Sequence, residues 1–158
     1  MDDQPEDFQE ARLKAEAFIA YAPRSVNDVM RRLQRNKFSD ETIAAVIQSL
    51  VDGGLLNDKE FAAAWVESRS RAKGLGRIRL TAELRRMGVE REDLDAAMEQ
   101  VDPEQEVEAA WMIVQRKHSR ENPADPSSRR RVAASLARKG YSYGIIEQVF
   151  SRWMENTE

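Results

Sequence analysis

The stretch NDKEFAAAWVESRSRAKGLGRIRLTAELRRMGVEREDLDAAMEQV, residues 57–101, decides the fold. Its apolar residues Leu80, Leu84, Val89, Leu94, Met98 and Val101 follow one another at steps of 4, 5, 5, 4 and 3. The same steps connect Val29, Leu33, Phe38, Ile43, Ile47 and Leu50 upstream, and Val132, Leu136, Tyr141, Ile146, Phe150 and Trp153 downstream. Steps of three and four belong to the buried stripe of any helix. Two successive steps of five are the informative part, because they carry the stripe across a turn between two helices. Copies offset by 51 and then 52 residues predict an internal repeat.

Outward from this stretch, every segment reads as helix. Residues 8–21 place Phe8, Ala11, Ala15, Phe18 and Ile19 on one side, with Asp7 as the expected N-cap and Pro23 ending the run. Ser25 and Ser39 cap the next two helices, and Gly53–Gly54 stop the second of these. Asn57 and Glu60 form a capping box between Leu56 and Phe61, with Ala64, Trp65 and Ser68 expected to continue the buried side. Lys73-Gly74-Leu75-Gly76 breaks the chain, a helix resumes near Arg77, and Gly88 supplies its left-handed stop. Glu90 takes the slot held by Ser39 and Ser142 in the other copies. Asp102-Pro103 opens the third copy, where Val107, Ala110, Trp111 and Val114 repeat Phe61, Ala64, Trp65 and Ser68 at a displacement of 46. A polar loop, SRENPADPSS at 119–128, precedes a final helix pair over about 127–155 that is divided by Gly140. The expected fold is all-α, with nine helices in three tandem three-helix-bundle repeats forming an elongated, curved array. The expected boundaries are an acidic segment at 1–12 and repeats at 13–56, 57–101 and 102–158.

Composition narrows the function classes. Hydrophobic residues make up 41% and charged residues 34% of 158, with no apolar run long enough for a membrane span. The acidic N-terminus is unlike a signal or transit peptide, so a cytoplasmic protein without membrane association is expected. Without cysteine there is no disulfide framework, thiol nucleophile or cysteine zinc site. His118, the single histidine, sits in a Lys-His-Ser stretch at a helix end and reads as solvated. The carboxylates Glu90, Glu92, Asp93 and Asp95 read as helix-capping and solubilising charges. Gly74-Leu75-Gly76 follows no strand and precedes no Gly-Lys-Ser/Thr, which excludes a P-loop. No enzyme, metal or cofactor is expected. Trp65, Trp111 and Trp153 lie on the apolar stripes and read as core, while Tyr143 lies off the stripe and reads as exposed.

The net charge is −3, yet positive charge recurs at one place in each copy. Residues 31–37 hold Arg31, Arg32, Arg35 and Lys37 with no acid. Residues 69–86 hold Arg69, Arg71, Lys73, Arg77, Arg79, Arg85 and Arg86 against Glu83 alone. Residues 116–139 hold Arg116, Lys117, Arg120, Arg129, Arg130, Arg131, Arg138 and Lys139 against Glu121 and Asp125. Acid clusters instead at the start, with Asp2, Asp3, Glu6, Asp7 and Glu10. Such faces attract phosphates while the whole molecule stays acidic.

The string GLLNDKEFAAAWVESRSRAKGLGRIRLTAELRRMGV at 54–89 resembles the signature of the RecX family, bacterial regulators of the RecA recombinase. The likeness is carried by Gly54-Leu55-Leu56, Asp58, Phe61-Ala62, Arg69, the Gly74–Gly76 loop, Ile78, Leu84 and Gly88-Val89. Upstream, Arg24-Ser25, Leu33 and Phe38-Ser39 resemble the family's first repeat, and the likeness spans about residues 13–153. Lys37 departs from it, standing where a glycine is expected, so Asn36 is the expected left-handed residue there.

The resemblance implies a non-enzymatic protein that binds the RecA filament on single-stranded DNA and restrains its ATPase and strand exchange, a role in recombination and DNA repair. A monomer is expected, meeting single-stranded DNA directly or through the filament. The expected contact residues are Arg31, Arg32, Arg35, Arg69, Arg71, Lys73, Arg77, Arg79, Arg85 and Arg86, with Arg129, Arg130 and Arg131 as a second group. Two alternatives stay open. A helix-turn-helix transcriptional regulator would read duplex DNA sequence without RecA, and a helical adaptor scaffold would bind peptides with its basic stripes merely solvated.

Overall fold

A computed structural model describes residues 4–157, so Asp2 and Asp3 of the acidic segment lie outside the described residues. Among the described residues there are nine α-helices and no strand: α1 Phe8–Tyr21, α2 Val26–Arg35, α3 Asp40–Asp52, α4 Asp58–Lys73, α5 Arg77–Arg86, α6 Arg91–Met98, α7 Pro103–Lys117, α8 Pro126–Arg138 and α9 Tyr143–Glu155. None of these helices is long and apolar enough to cross a membrane.

The pair of five-residue steps in the apolar skeleton corresponds to one turn built three times. The first step is a Schellman closure. The amides of Phe38, Val89 and Tyr141 donate to the carbonyls of Leu33, Leu84 and Leu136, at 3.2, 3.1 and 3.2 Å. Those of Lys37, Gly88 and Gly140 donate to Gln34, Arg85 and Ala137. This is the paired bond pattern that satisfies the last carbonyls of a helix, and an apolar contact between its two outer residues usually accompanies it. The second step is the hydrophobic-staple spacing. Ser39, Glu90 and Ser142 occupy the cap position, flanked by Phe38 and Ile43, Val89 and Leu94, and Tyr141 and Ile146.

The left-handed residue of each turn is Lys37 (φ 65), Gly88 (φ 77) or Gly140 (φ 98). Asn36, expected in that role, has φ −80. The closure pattern fixes the left-handed position one residue later than the side chain best suited to it, so lysine adopts that conformation.

The described residues form two compact units. The first runs to Ala62 and includes Leu84–Leu94; the second comprises Ala63–Glu83 and continues from Asp95. In the first, Phe8, Ala11 and Ala15 of α1 pack with Val29 and Leu33 of α2 and with Ile43, Val46 and Leu50 of α3. Leu33 is fully buried, and its truncation to alanine is expected to destabilise the unit by about 2–5 kcal/mol. Ser25 and Asp28 form a reciprocal capping box on α2. The Asp58 carboxylate reaches across to accept the Val26 amide at 2.9 Å, which gives a family-like aspartate a structural role. Burial, together with Asp93, Asp28 and Glu90, raises the pKa of Asp58 against the lowering effect of that bond.

In the second unit, Ala110, Trp111, Ile113 and Val114 of α7 pack against Val132 and Leu136 of α8 and Ile145, Ile146, Val149 and Trp153 of α9. Asp102 and Asp125 cap α7 and α8, each with proline at the first helical position. The 119–128 loop thus yields its last residues to α8, which begins at Pro126.

Three local expectations are corrected. Asp7 makes no side-chain cap bond; its carboxylate accepts from the Thr42 hydroxyl at 2.6 Å instead. In α4 the buried side is Phe61, Ala62 and Val66, whereas Ala64 and Ser68 are exposed and Trp65 is half-buried. The Trp65 indole N–H donates to Glu83 at 2.8 Å and the Arg69 guanidinium lies 4.0 Å over its ring, so polar partners hold this tryptophan at the border of the core. Within the α3 and α9 stripes, Val46 and Val149 are fully buried while Ile47 and Phe150 are only partly so.

Candidate nucleic-acid interface

In the second unit, the two glycines of the Lys73-Gly74-Leu75-Gly76 break do different things. Gly74 has φ 61, a left-handed conformation that ends α4. Gly76 makes room: a Cβ there would lie 2.6 Å from the Gly140 carbonyl carbon and oxygen. Backbone therefore meets backbone. The Gly76 amide donates to the Lys139 carbonyl at 2.8 Å and the Ile78 amide to that of Gly140 at 3.0 Å. The Arg77 amide donates to the buried Glu106 carboxylate at 3.1 Å. The first amides of α5, which no helix can satisfy internally, are thus taken up by the α8–α9 turn and by α7. Tyr141 completes the junction by donating its hydroxyl to the Gly74 carbonyl at 2.6 Å. Burial, then the negative charge of Glu106, pushes this phenol up to about 12.

This junction gathers cations. A cleft of about 410 Å³ is lined by Arg71, Lys73, Arg79, Arg116, Lys117 and Lys139, and no acidic residue contributes to its walls. The Lys139 ammonium donates to the Lys73 carbonyl at 3.1 Å, and the Arg79 guanidinium to the Arg138 carbonyl at 3.3 Å. Arg79 also faces Glu83 at 3.5 Å, and Arg71 faces Glu67 at 3.6 Å. Desolvation, then repulsion from Lys117, Arg79, Arg116 and Lys73, lowers the pKa of Lys139. A phosphate group placed here would relieve that repulsion.

Three of the expected contact residues, Arg71, Lys73 and Arg79, meet in this cleft. Arg77 does not join them, because its guanidinium donates to the Met98 and Val101 carbonyls at 3.1 and 3.4 Å at the end of α6. Arg69 stacks on Trp65. Arg131 is tied to Glu121 by two bonds at 2.8 and 3.0 Å, Arg130 donates to Ser127 at 3.4 Å, and Arg129 lies 5.7 Å over Phe150. Arg116, Lys117 and Lys139 were not among the expected contacts. The signal that marks them is the scarcity of acid between 116 and 139.

A second basic face belongs to the first unit. The guanidinium groups of Arg24 and Arg32 lie over the Phe18 ring, at 3.9 and 5.2 Å from its centre. Arg31 and Arg35 line the adjoining hollow with Arg24, and Asp28 is its one acid. Arg85 and Arg86, at the end of α5, are exposed. Elsewhere, His118 meets the Ser135 hydroxyl at 3.1 Å, and among the described residues no group of three or more His, Cys, Asp or Glu side chains is placed to hold a metal ion.

Comparison with known proteins assigns the repeated helical unit. Residues 57–98 match the family description "RecX, second three-helix domain", and residues 104–150 match "RecX, third three-helix domain". The chain is 37% identical to the "Regulatory protein RecX" of Streptomyces coelicolor, over 95% of this chain and 82% of that one. It belongs to the RecX family of regulatory proteins. A RecX from Thermobifida fusca is 35% identical over 96% of this chain and 83% of its own. The crystal structure of RecX from Lactobacillus salivarius shares the fold, with a TM-score of 0.84 at 20% identity over 94% of this chain and 97% of that one. The Gly74–Gly76 break and the Gly88 stop both fall inside the region matched to the second RecX domain.

Proposed function

We propose that this RecX-family chain is a non-enzymatic cytoplasmic regulator that docks on RecA filaments formed on single-stranded DNA and restrains their ATPase and strand-exchange activities. The observation that carries this reading is the acid-free cation cleft at the junction of α4, α7 and the α8–α9 turn. A protein of net charge −3 that concentrates six cations in one cleft is built to meet localised negative charge. The exposed Arg31 and Arg35 offer a second place for the same kind of contact. Family membership supplies the regulatory class, and the choice of RecA and its DNA as partners comes from the resemblance. The repeats are proposed to be 13–56, 57–101 and 102–158, preceded by the acidic segment 1–12.

Filament binding measured against salt tests this reading. Each neutralised phosphate of a single strand contributes about 0.7 to the log–log slope. Arg116→Gln and Lys117→Gln together are expected to weaken binding and flatten the slope. Filament affinity and slope unchanged by the pair would remove the cleft from the interface.

A further inference from the structure

We propose that the cation cleft of the second unit is also a seat for a short run of linked phosphates, the group carried by a nucleoside triphosphate or by inorganic tripolyphosphate. This deepens, and rests on, the reading of the cleft as a place where phosphates bind.

Charge density is the first argument. Lys73, Arg79, Arg116, Lys117 and Lys139 converge from α4, α5, α7 and the α8–α9 turn on about 410 Å³, with no carboxylate in the walls. A phosphodiester strand carries one charge per phosphate along an extended backbone, whereas a triphosphate chain packs several charges into a few ångströms. A compact cluster of five cations matches the second distribution better. The volume also lies in the range of small-ligand sites, about 300–1,000 Å³.

Preorganisation is the second. Lys139 and Arg79 are each fixed by a bond to a backbone carbonyl, and each retains further N–H donors for a ligand. Desolvation and four neighbouring cations disfavour the charged form of Lys139, so an anion placed beside it relieves that penalty. Arg116 and Lys117 are exposed on α7, at the rim.

The walls supply the third. Leu75 and Ile113 are buried beneath the cations, while Met112 beside them is 61% exposed, an adaptable apolar surface on which a base or sugar can rest.

Calorimetric titration of the full chain, with neither recombinase nor DNA present, tests the proposal using tripolyphosphate, ATP and AMP. Tripolyphosphate and ATP are expected to bind one per chain and AMP far more weakly. Arg116→Gln and Lys117→Gln are each expected to weaken binding about tenfold, the loss of one charge-assisted hydrogen bond. Lys59→Gln, in the first turn of α4 outside the cleft, is expected to change nothing. Tighter binding of ATP than of tripolyphosphate assigns the nucleoside to the Met112 wall, and equal binding assigns the bare phosphate chain; both support the seat. No heat from either ligand overturns it, as does a Lys59→Gln effect equal to that of Arg116→Gln. A failure of filament docking would leave these titrations untouched, so the two readings fail separately.

Discussion

Gly76 and Gly140 touch through their backbones. A Cβ on Gly76 would stand 2.6 Å from the Gly140 carbonyl, and one on Gly140 would stand 2.4 Å from the Arg79 Cβ. Gly76→Ala is therefore expected to cost about 1–3 kcal/mol by overpacking against backbone that cannot rotate away. Gly54, at φ 76 with nothing within 4 Å, supplies the contrast, because alanine there meets only the left-handed strain of about 1–2 kcal/mol. Urea unfolding measures both costs. Only Gly76→Ala should also disturb the cation cleft.

Lys37 is the sole non-glycine among the described residues with positive φ. Replacement by glycine relieves a strain that the other two copies of the turn avoid. Lys37→Gly is expected to raise stability by as much as about 1 kcal/mol, read from the denaturation midpoint at unchanged slope.

Arg77, turned away from the cleft, and Arg116, which lines it, should behave oppositely. Arg77→Ala removes the donor to the Met98 and Val101 carbonyls and is expected to destabilise by about 1–2 kcal/mol. Arg116→Ala on the exposed side of α7 is expected to leave stability within about 0.5 kcal/mol of the parent while weakening filament binding. Thermal melts and filament binding measured on both variants show the exchange.

Hydrogen bonding to Arg131 holds the Glu121 carboxyl well below the usual carboxylate range, at about 2. A depressed folded-state pKa contributes stability above the unfolded value, and that contribution disappears as pH falls through the folded value. Glu121→Gln is therefore expected to be less stable than the parent near neutral pH, with the gap closing as pH drops from about 4.5 to about 2. Stability curves across that window check the sign.

Tyr141 gives the mirror case. Its phenol is raised to about 12, so its contribution is present below the ordinary phenol value of 10 and is lost as pH climbs through the folded value. Tyr141→Phe loses the bond to Gly74 and is expected to be about 1 kcal/mol less stable near neutral pH. The difference should narrow in strong alkali, where the parent alone must ionise.

The fold was legible because its turn chemistry is written locally. Leu84, Gly88, Val89 and Leu94 carry a Schellman closure and a staple spacing within one short stretch, and the other copies repeat it. The register of α4 was not legible, because Ala62 and Ala64 are the same residue type and only tertiary packing decides which one is buried. The site was half legible. Acid-poor segments pointed to Arg71, Lys73 and Arg79, which line the candidate cleft, but charge alone cannot show that Arg77 is turned to the end of α6 and Arg131 to Glu121. Nor can it show that Lys139 faces Lys73, since 66 residues separate them and only the meeting of Gly76 with Gly140 brings them together.

ATP hydrolysis by RecA on single-stranded DNA, titrated with this chain and with its Arg116→Gln/Lys117→Gln variant, tests the central claim most directly. The account predicts falling turnover with the parent chain and a shift of the variant's titration to higher concentration. Unchanged turnover at stoichiometric excess of the parent, or identical curves for the two proteins, would contradict it.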